Sequence, residues 1–197
     1  NGNTNDESGN QRHGIAHGGA LATDRHGATE RAYYFDGNDH VLIPESRFLD
    51  GYGKVTISGW YSFDPGSWGH IIGSGDWRAG HDPIHLRFDT NGTTGFSMGV
   101  GASGNFKSEL DTWYQLIVVL ENYPAGGAKI TAYQNGKLVL FNEVDTPGLI
   151  SYDRDMPTAI GALQPGTYGQ YWKGELDDVR IYDRALSEKE VAALYEE

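Results

Sequence analysis

Gly174-Glu-Leu-Asp-Asp-Val-Arg-Ile-Tyr-Asp-Arg-Ala-Leu-Ser-Glu-Lys-Glu-Val-Ala-Ala-Leu-Tyr-Glu-Glu197 reads as one strand running into one helix. The strand-like run carries an acidic pair, Asp177-Asp178, and ends at Asp183-Arg184. Helical spacing appears only after Ser187. Glu190, three residues on, completes a capping box in which each side chain accepts a hydrogen bond from the other residue's free backbone N–H. A chain whose only helix closes the sequence has to build its core from strands.

Outward from that end, short runs alternate with turns at the spacing expected of a sandwich. Val55 to Phe63 places Val55, Ile57, Tyr61 and Phe63 on one face, because successive strand residues point to opposite sides. His70 to Gly73, Ile84 to Phe88 and Phe96 to Val100 are further strands, the last two joined by Asp89-Thr-Asn-Gly92. Trp113 to Glu121 is the most apolar stretch and is expected to lie centrally. Asn135-Gly136 between Lys129–Gln134 and Lys137–Phe141 signals a type I′ hairpin. Ala159 to Leu163 and Leu176 to Tyr182 complete the set. The opening residues 1–32 are polar and turn-rich, and read as a loop or weak edge strand lying across the sandwich. The expected fold is an all-β, two-sheet antiparallel β-sandwich of jelly-roll type with a short C-terminal helix, one domain over residues 1–197.

Several pieces in register resemble one family. Phe35-Asp-Gly37, Ser58-Gly-Trp60, Trp113-Tyr114, Tyr133-Gln-Asn-Gly136, Ile160-Gly161 and the run Gly174 to Leu186 follow the order of bacterial laminin G-like domains. These are built on the concanavalin A-like jelly roll of the lectin/glucanase superfamily. The N-terminal Asp6-Glu-Ser-Gly-Asn10 and His13-Gly14 also fit that family's opening loop. The resemblance implies carbohydrate binding in a secreted or cell-surface bacterial protein. It also implies a structural calcium tying together the N-terminal loop, the Phe-Asp-Gly loop and the last strand. Asp6, Asp36, the Gly37 carbonyl and Asp177 match the implied ligand positions. The alternative is that Asp6 and Asp36 close Asx turns while Asp177 accepts backbone N–H groups.

Bulk composition narrows the partners. The chain has 197 residues, 27 Asp and Glu against 15 Lys and Arg, and a net charge of −12. A field of that sign disfavours nucleic acid and anionic membrane surfaces. No apolar run approaches the ~18 residues of a membrane span, so membrane insertion is not expected. No signal-peptide pattern is visible, so any export signal would lie outside these residues. Cysteine is absent, which rules out disulfides and thiol chemistry. The expected state is a monomeric module within a larger multidomain chain.

Catalytic patterns are incomplete. Glycoside hydrolysis requires two carboxylates about 5–9.5 Å apart, and strand residues i and i+2 share a face about 7 Å apart. Glu175-Leu-Asp177 begins the Glu-x-Asp-x-x-Glu strand of concanavalin A-like glucanases, but Arg180 stands at the third acidic position. Glu109-Leu-Asp111 is a second fragment without a partner. Arg87, His85 and Tyr168 supply lyase-type ingredients without a lyase-like arrangement. His81 and His85 have the i, i+4 spacing that suits zinc on a helix, yet Pro83 blocks one.

A glycan surface needs an aromatic platform for the apolar ring face and polar groups to read hydroxyls. The run from Trp68 to Arg87 concentrates both, with His70, Trp77, Arg78, His85 and Arg87 the candidates. Tyr168 and Trp172, ahead of the last strand, form a second aromatic group; Trp172 alternatively plugs the end of the sandwich. Two other readings stand beside a noncatalytic binding module. One is a structural or adhesion domain of a large surface protein, the other a small hydrolase or lyase.

Overall fold

The computed structural model describes residues 2–44, 49, 52–76, 81–89, 94–98, 102–106, 108–145, 157–163 and 170–197. Two seven-stranded antiparallel sheets face each other across one core.

In chain order the strands are β1 (Ile15–His17), β2 (Ala20–Ala22), β3 (Ala32–Asp36), β4 (His40–Ile43), β5 (Lys54–Phe63) and β6 (Gly69–Asp76). There follow β7 (His81–Asp89), β8 (Thr94–Met98), β9 (Ala102–Phe106), β10 (Tyr114–Asn122), β11 (Ala128–Gln134) and β12 (Lys137–Val144). The last are β13 (Thr158–Ile160), β14 (Ala162–Leu163), β15 (Gln170–Tyr171) and β16 (Lys173–Tyr182), before the helix α1 (Glu188–Glu196). The first sheet runs β1-β4-β13-β6-β7-β8-β9 and the second β12-β11-β10-β5-β16-β3-β2. A small hairpin of β14 and β15 lies against β6.

Alternation decides what is buried. Val55, Ile57, Tyr61 and Phe63 all enter the core, as do Leu116, Val118 and Leu120 of β10. The intervening Ile117 and Val119 face the other way, where Val191 and Leu194 of α1 cover them with Tyr133 and Leu186. Burial on both faces accounts for the continuous apolar run in β10. Ser187 caps α1, and its capping box with Glu190 is formed as expected. The Thr56 hydroxyl anchors the approach to α1, donating to the Arg184 carbonyl at 2.8 Å and accepting from Leu186 N–H at 3.0 Å.

Turn chemistry also holds. Asn135 and Gly136 both have positive φ, +49° and +71°, as a type I′ hairpin demands. The expected run Ala159–Leu163 is divided at Gly161, whose φ of +82° turns the chain out of the first sheet into β14. Glu109-Leu-Asp111 lies in a turn before β10, Asp111 at φ +53°. A strand-borne carboxylate pair is therefore not found there. The N-terminal stretch is a polar strap over residues 2–14 followed by two short edge strands, β1 on one sheet and β2 on the other.

Candidate functional site

Trp68 stands just ahead of β6 with 43% of its surface exposed. A tryptophan that large is usually buried or engaged. The Arg87 guanidinium of β7 lies over its ring, 4.8 Å from the ring centroid. Antiparallel pairing of β6 with β7 sets His70 opposite Arg87 and so brings the arginine beside Trp68. Leu86 enters the core, whereas Arg87 is half-buried on the alternate side. The buried Arg87 Nε has no hydrogen-bond partner among the described residues. The pair is a flat aromatic surface with a fixed cation on it, a cation–π arrangement.

Of this pair only Arg87 is among the ligand residues expected from the sequence; the other expected residues fall differently. His70 is 1% exposed and Trp172 0%, so neither presents a side chain to solvent. Trp172 instead meets Tyr61 edge-to-face, with ring centroids 6.1 Å apart, and fills the end of the core. This corrects the expectation of a solvent-facing Trp172: the crossover from β15 to β16 passes between the sheets, and the indole is the plug. His85 sits on β7 opposite Gly73; its side chain is outside the description. Trp77, Arg78 and Tyr168 lie outside the described residues.

A second aromatic row, not anticipated from the sequence, occupies the outer edge of the first sheet. His17 of β1 and His40 of β4 pair across strands and stack at 4.6 Å with rings 6° from parallel. Tyr171 lies 5.9 Å from His40. Burial, and then the neighbouring His17, push the His40 imidazole below its usual value. Only the β1–β4 register brings these rings together, and the sequence does not display it.

The acidic strand carries a different surprise. A bulge between Asp177 and Arg180 interrupts the pairing of β16 with β5, and Asp178 takes a left-handed φ of +46°. Arg25, from the loop after β2, reaches this bulge with its guanidinium. It donates to Asp177 Oδ2 at 2.9 Å and Asp178 Oδ2 at 2.8 Å, and lies 4.6 Å over the Trp60 ring. Tyr195 of α1 stacks on Trp60 at 5.8 Å. Asp177 is only 7% exposed. Burial, followed by the neighbouring Asp178, raises its carboxyl above the ordinary value, and Arg25 opposes that shift.

The four positions implied for calcium do not form one set. Both Asp6 oxygens accept backbone N–H groups, from Ser8 and Arg12. Asp36 Oδ1 closes a turn on Asn38, and Asp177 Oδ1 accepts from Asp178 N–H. Asp6 and Asp177 line the same cavity, but Asp36 and Gly37 do not. Among the described residues no group of three His, Asp or Glu side chains is placed to hold a metal. Calcium requires six to eight oxygens, and at Asp177 a guanidinium already occupies the carboxylate. These residues do not fit the ion.

That cavity, of about 590 Å³, opens between the strap and the edges of the two sheets.

The fold and its surface define a lectin-like jelly roll. Residues 35–192 match a laminin G family model described as concanavalin A-like lectin/glucanases superfamily. The chain belongs to that family. No curated protein sequence matches it. Among solved structures it is similar to domain 4 of AbnA, a GH43 extracellular arabinanase from Geobacillus stearothermophilus, in complex with arabinotriose. The TM-score is 0.68 and the identity 18%, over 98% of this chain and 93% of that one. It is also similar to Trypanosoma rangeli sialidase, at TM-score 0.61 and 15% identity over 84% of this chain and only 27% of the sialidase. A third likeness is the heptameric SAP-like pentraxin of Limulus polyphemus, at TM-score 0.54 and 19% identity, covering 82% and 73%. At such identities the likeness shows the fold. No helix among the described residues is long and apolar enough to cross a membrane.

Proposed function

We propose that this chain is a noncatalytic carbohydrate-binding module of a secreted or cell-surface bacterial protein, working beside other domains of a larger chain. The observation that carries the reading is the exposed Trp68 platform with Arg87 held 4.8 Å over it. A sugar ring would stack its C–H face on the indole face that Arg87 leaves open, with the outward N–H groups of the guanidinium donating to hydroxyls at the ring edge. The family and the arabinotriose-bound arabinanase domain support a glycan as the ligand class.

The acidic strand supports the noncatalytic part. Glu175 and Asp177 share a face of β16, but Asp177 is held by Arg25 and the third acidic position is Arg180. A carboxylate committed to a guanidinium is a poor nucleophile.

The test is isothermal titration against neutral and acidic oligosaccharides, arabinotriose included. Trp68→Ala is expected to weaken binding about 5- to 150-fold, since stacking on an aromatic ring contributes about 1–3 kcal/mol in comparable recognition. Its melting temperature should stay put, because the side chain is exposed. No response to any glycan would favour the structural or adhesion reading. Release of reducing ends would establish an enzyme.

A further inference from the structure

The N-terminal strap creates a room that the Trp68 platform does not use. The two sheets part at the edge where β4 of one faces β3 and β16 of the other. Residues 2–14 bridge the gap, and beneath them lies the cavity of about 590 Å³. Protein interiors hold few voids larger than a water molecule, whereas small-molecule pockets span about 300–1,000 Å³. A room of this size is a solvent-filled accident or a binding site, and its walls decide between the two.

The walls are two-faced. The floor is apolar and comes from both sheets: Tyr33 and Phe35 of β3, Val41 and Ile43 of β4, Leu176 and Ile181 of β16. The ceiling is the strap, whose lining residues include Asn3, Asn5, Asp6, Ser8, Asn10 and Arg12, and no apolar side chain. The cavity is open to solvent, so water fills it, but water over the apolar floor gains few partners there and is displaced at little cost. A wholly apolar guest would strip solvent from the ceiling without replacing its hydrogen bonds, a costly exchange. The guest that satisfies both is a compact ring with one C–H face and a fringe of hydroxyls.

The strap is built to stay open. Thr4 and Gly14 close it on itself, Gly14 N–H donating to the Thr4 carbonyl at 2.8 Å and the Thr4 hydroxyl to the Gly14 carbonyl at 2.7 Å. Inside that ring the Asp6 carboxylate takes the N–H groups of Ser8 and Arg12 at 2.8 and 2.9 Å. Its two ends are pinned where only glycine fits. A Cβ at Gly14 would press on Val41, and one at Gly2 would strike the Glu30 carbonyl. The ceiling's polar groups are therefore preorganised, which spares a ligand the cost of ordering them. The charged lining nearly cancels, Asp6, Glu7, Asp177 and Asp178 against Arg12, Arg31 and Arg180. That balance gives a uronate or sulfated sugar no advantage.

We infer that the cavity beneath the strap is a second saccharide site, taking one neutral sugar unit at the end of a glycan with its C–H face toward the half-buried Tyr33 and Ile181 and its hydroxyls toward the strap. The inference rests on the glycan-binding reading above but uses none of its residues, since neither Trp68 nor Arg87 lines the cavity. The two are separable by experiment.

Methyl and indole NMR of the intact chain, titrated with arabinotriose, a neutral hexose trisaccharide and a trigalacturonide, reads both sites at once. The methyl signals of Val41, Ile43 and Ile181 are expected to move with a neutral trisaccharide, in the wild type and in Trp68→Ala alike. Asn5→Ala and Asn10→Ala, exposed and remote from the core, should weaken that response about 2- to 10-fold, the loss of one hydrogen bond each. Motion of the Trp68 indole with silent methyls would overturn the cavity site and leave the module reading standing. Silence of both sets for every sugar would overturn both. Methyl shifts with the trigalacturonide alone would overturn the neutral assignment.

Discussion

At the residue scale the Arg25 side chain carries the most consequence. It crosses from the loop after β2 to the β16 bulge, satisfies two carboxylates and stacks on Trp60. Arg25→Ala would leave Asp177 buried and unpaired, a change that costs about 3 kcal/mol when a buried ion pair loses one member. Urea unfolding at pH 7 would show it. The penalty belongs to the charged carboxylate. Asp177 is already raised by burial, and a raised carboxyl favours the fold most when protonated. Below its ordinary value of 3.8 the mutational cost should shrink, and it should grow as pH rises through the folded-state value. A pH-independent cost would point to lost packing on Trp60 instead. None of this was legible in the acidic pair itself. Asp177 reads from the sequence as a metal anchor or as an acceptor of backbone N–H groups, and the partner that decides lies about 150 residues earlier.

At the scale of elements, the local signals were the reliable ones. The capping box before α1 and the Asn135-Gly136 turn form as read because each is satisfied within a few residues of chain. The helix docks through Val191 and Leu194 on Ile117, Val119 and Tyr133, so its cap bears on the whole outer face of that sheet. Ser187→Ala should cost about 1 kcal/mol, measured by denaturant titration. Hydrogen bonds from the Ser187 backbone and hydroxyl, then Arg184, hold Glu190 down to about 2. A lowered carboxyl contributes stability above its ordinary 4.5 and loses it as pH falls toward 2. Ser187→Ala and Glu190→Gln should each flatten that acid limb of the stability curve. An unchanged limb in both would show that other carboxylates dominate acid unfolding. Edge strands were less legible. β1 and β2 are three residues each, too short for periodicity, and their pairing is set by the sheets they join.

At the scale of the molecule, the calcium question becomes one measurement. Because Arg25 holds the acidic bulge and the other implied ligands are dispersed, melting curves in excess calcium and in chelator should coincide. A ligand that binds only the folded chain raises its stability by mass action, so a calcium-dependent rise would overturn this misfit. Strand pattern, turn residues and the capped helix, each a property of neighbours in the chain, determined the sandwich from the sequence by itself, and the pieces that resemble laminin G-like domains, Gly174 to Leu186 above all, pointed to the family. Only the tertiary structure decided which tryptophan is a surface and which a plug. Trp68 and Trp172 look alike in sequence, yet the crossover between sheets buries one and leaves the other facing water. It alone decided that Arg25 meets Asp177, that His17 stacks on His40, and that a polar strap roofs an apolar floor. Each of these depends on contacts between segments far apart in the chain, and such contacts follow from how the sheets close on one another.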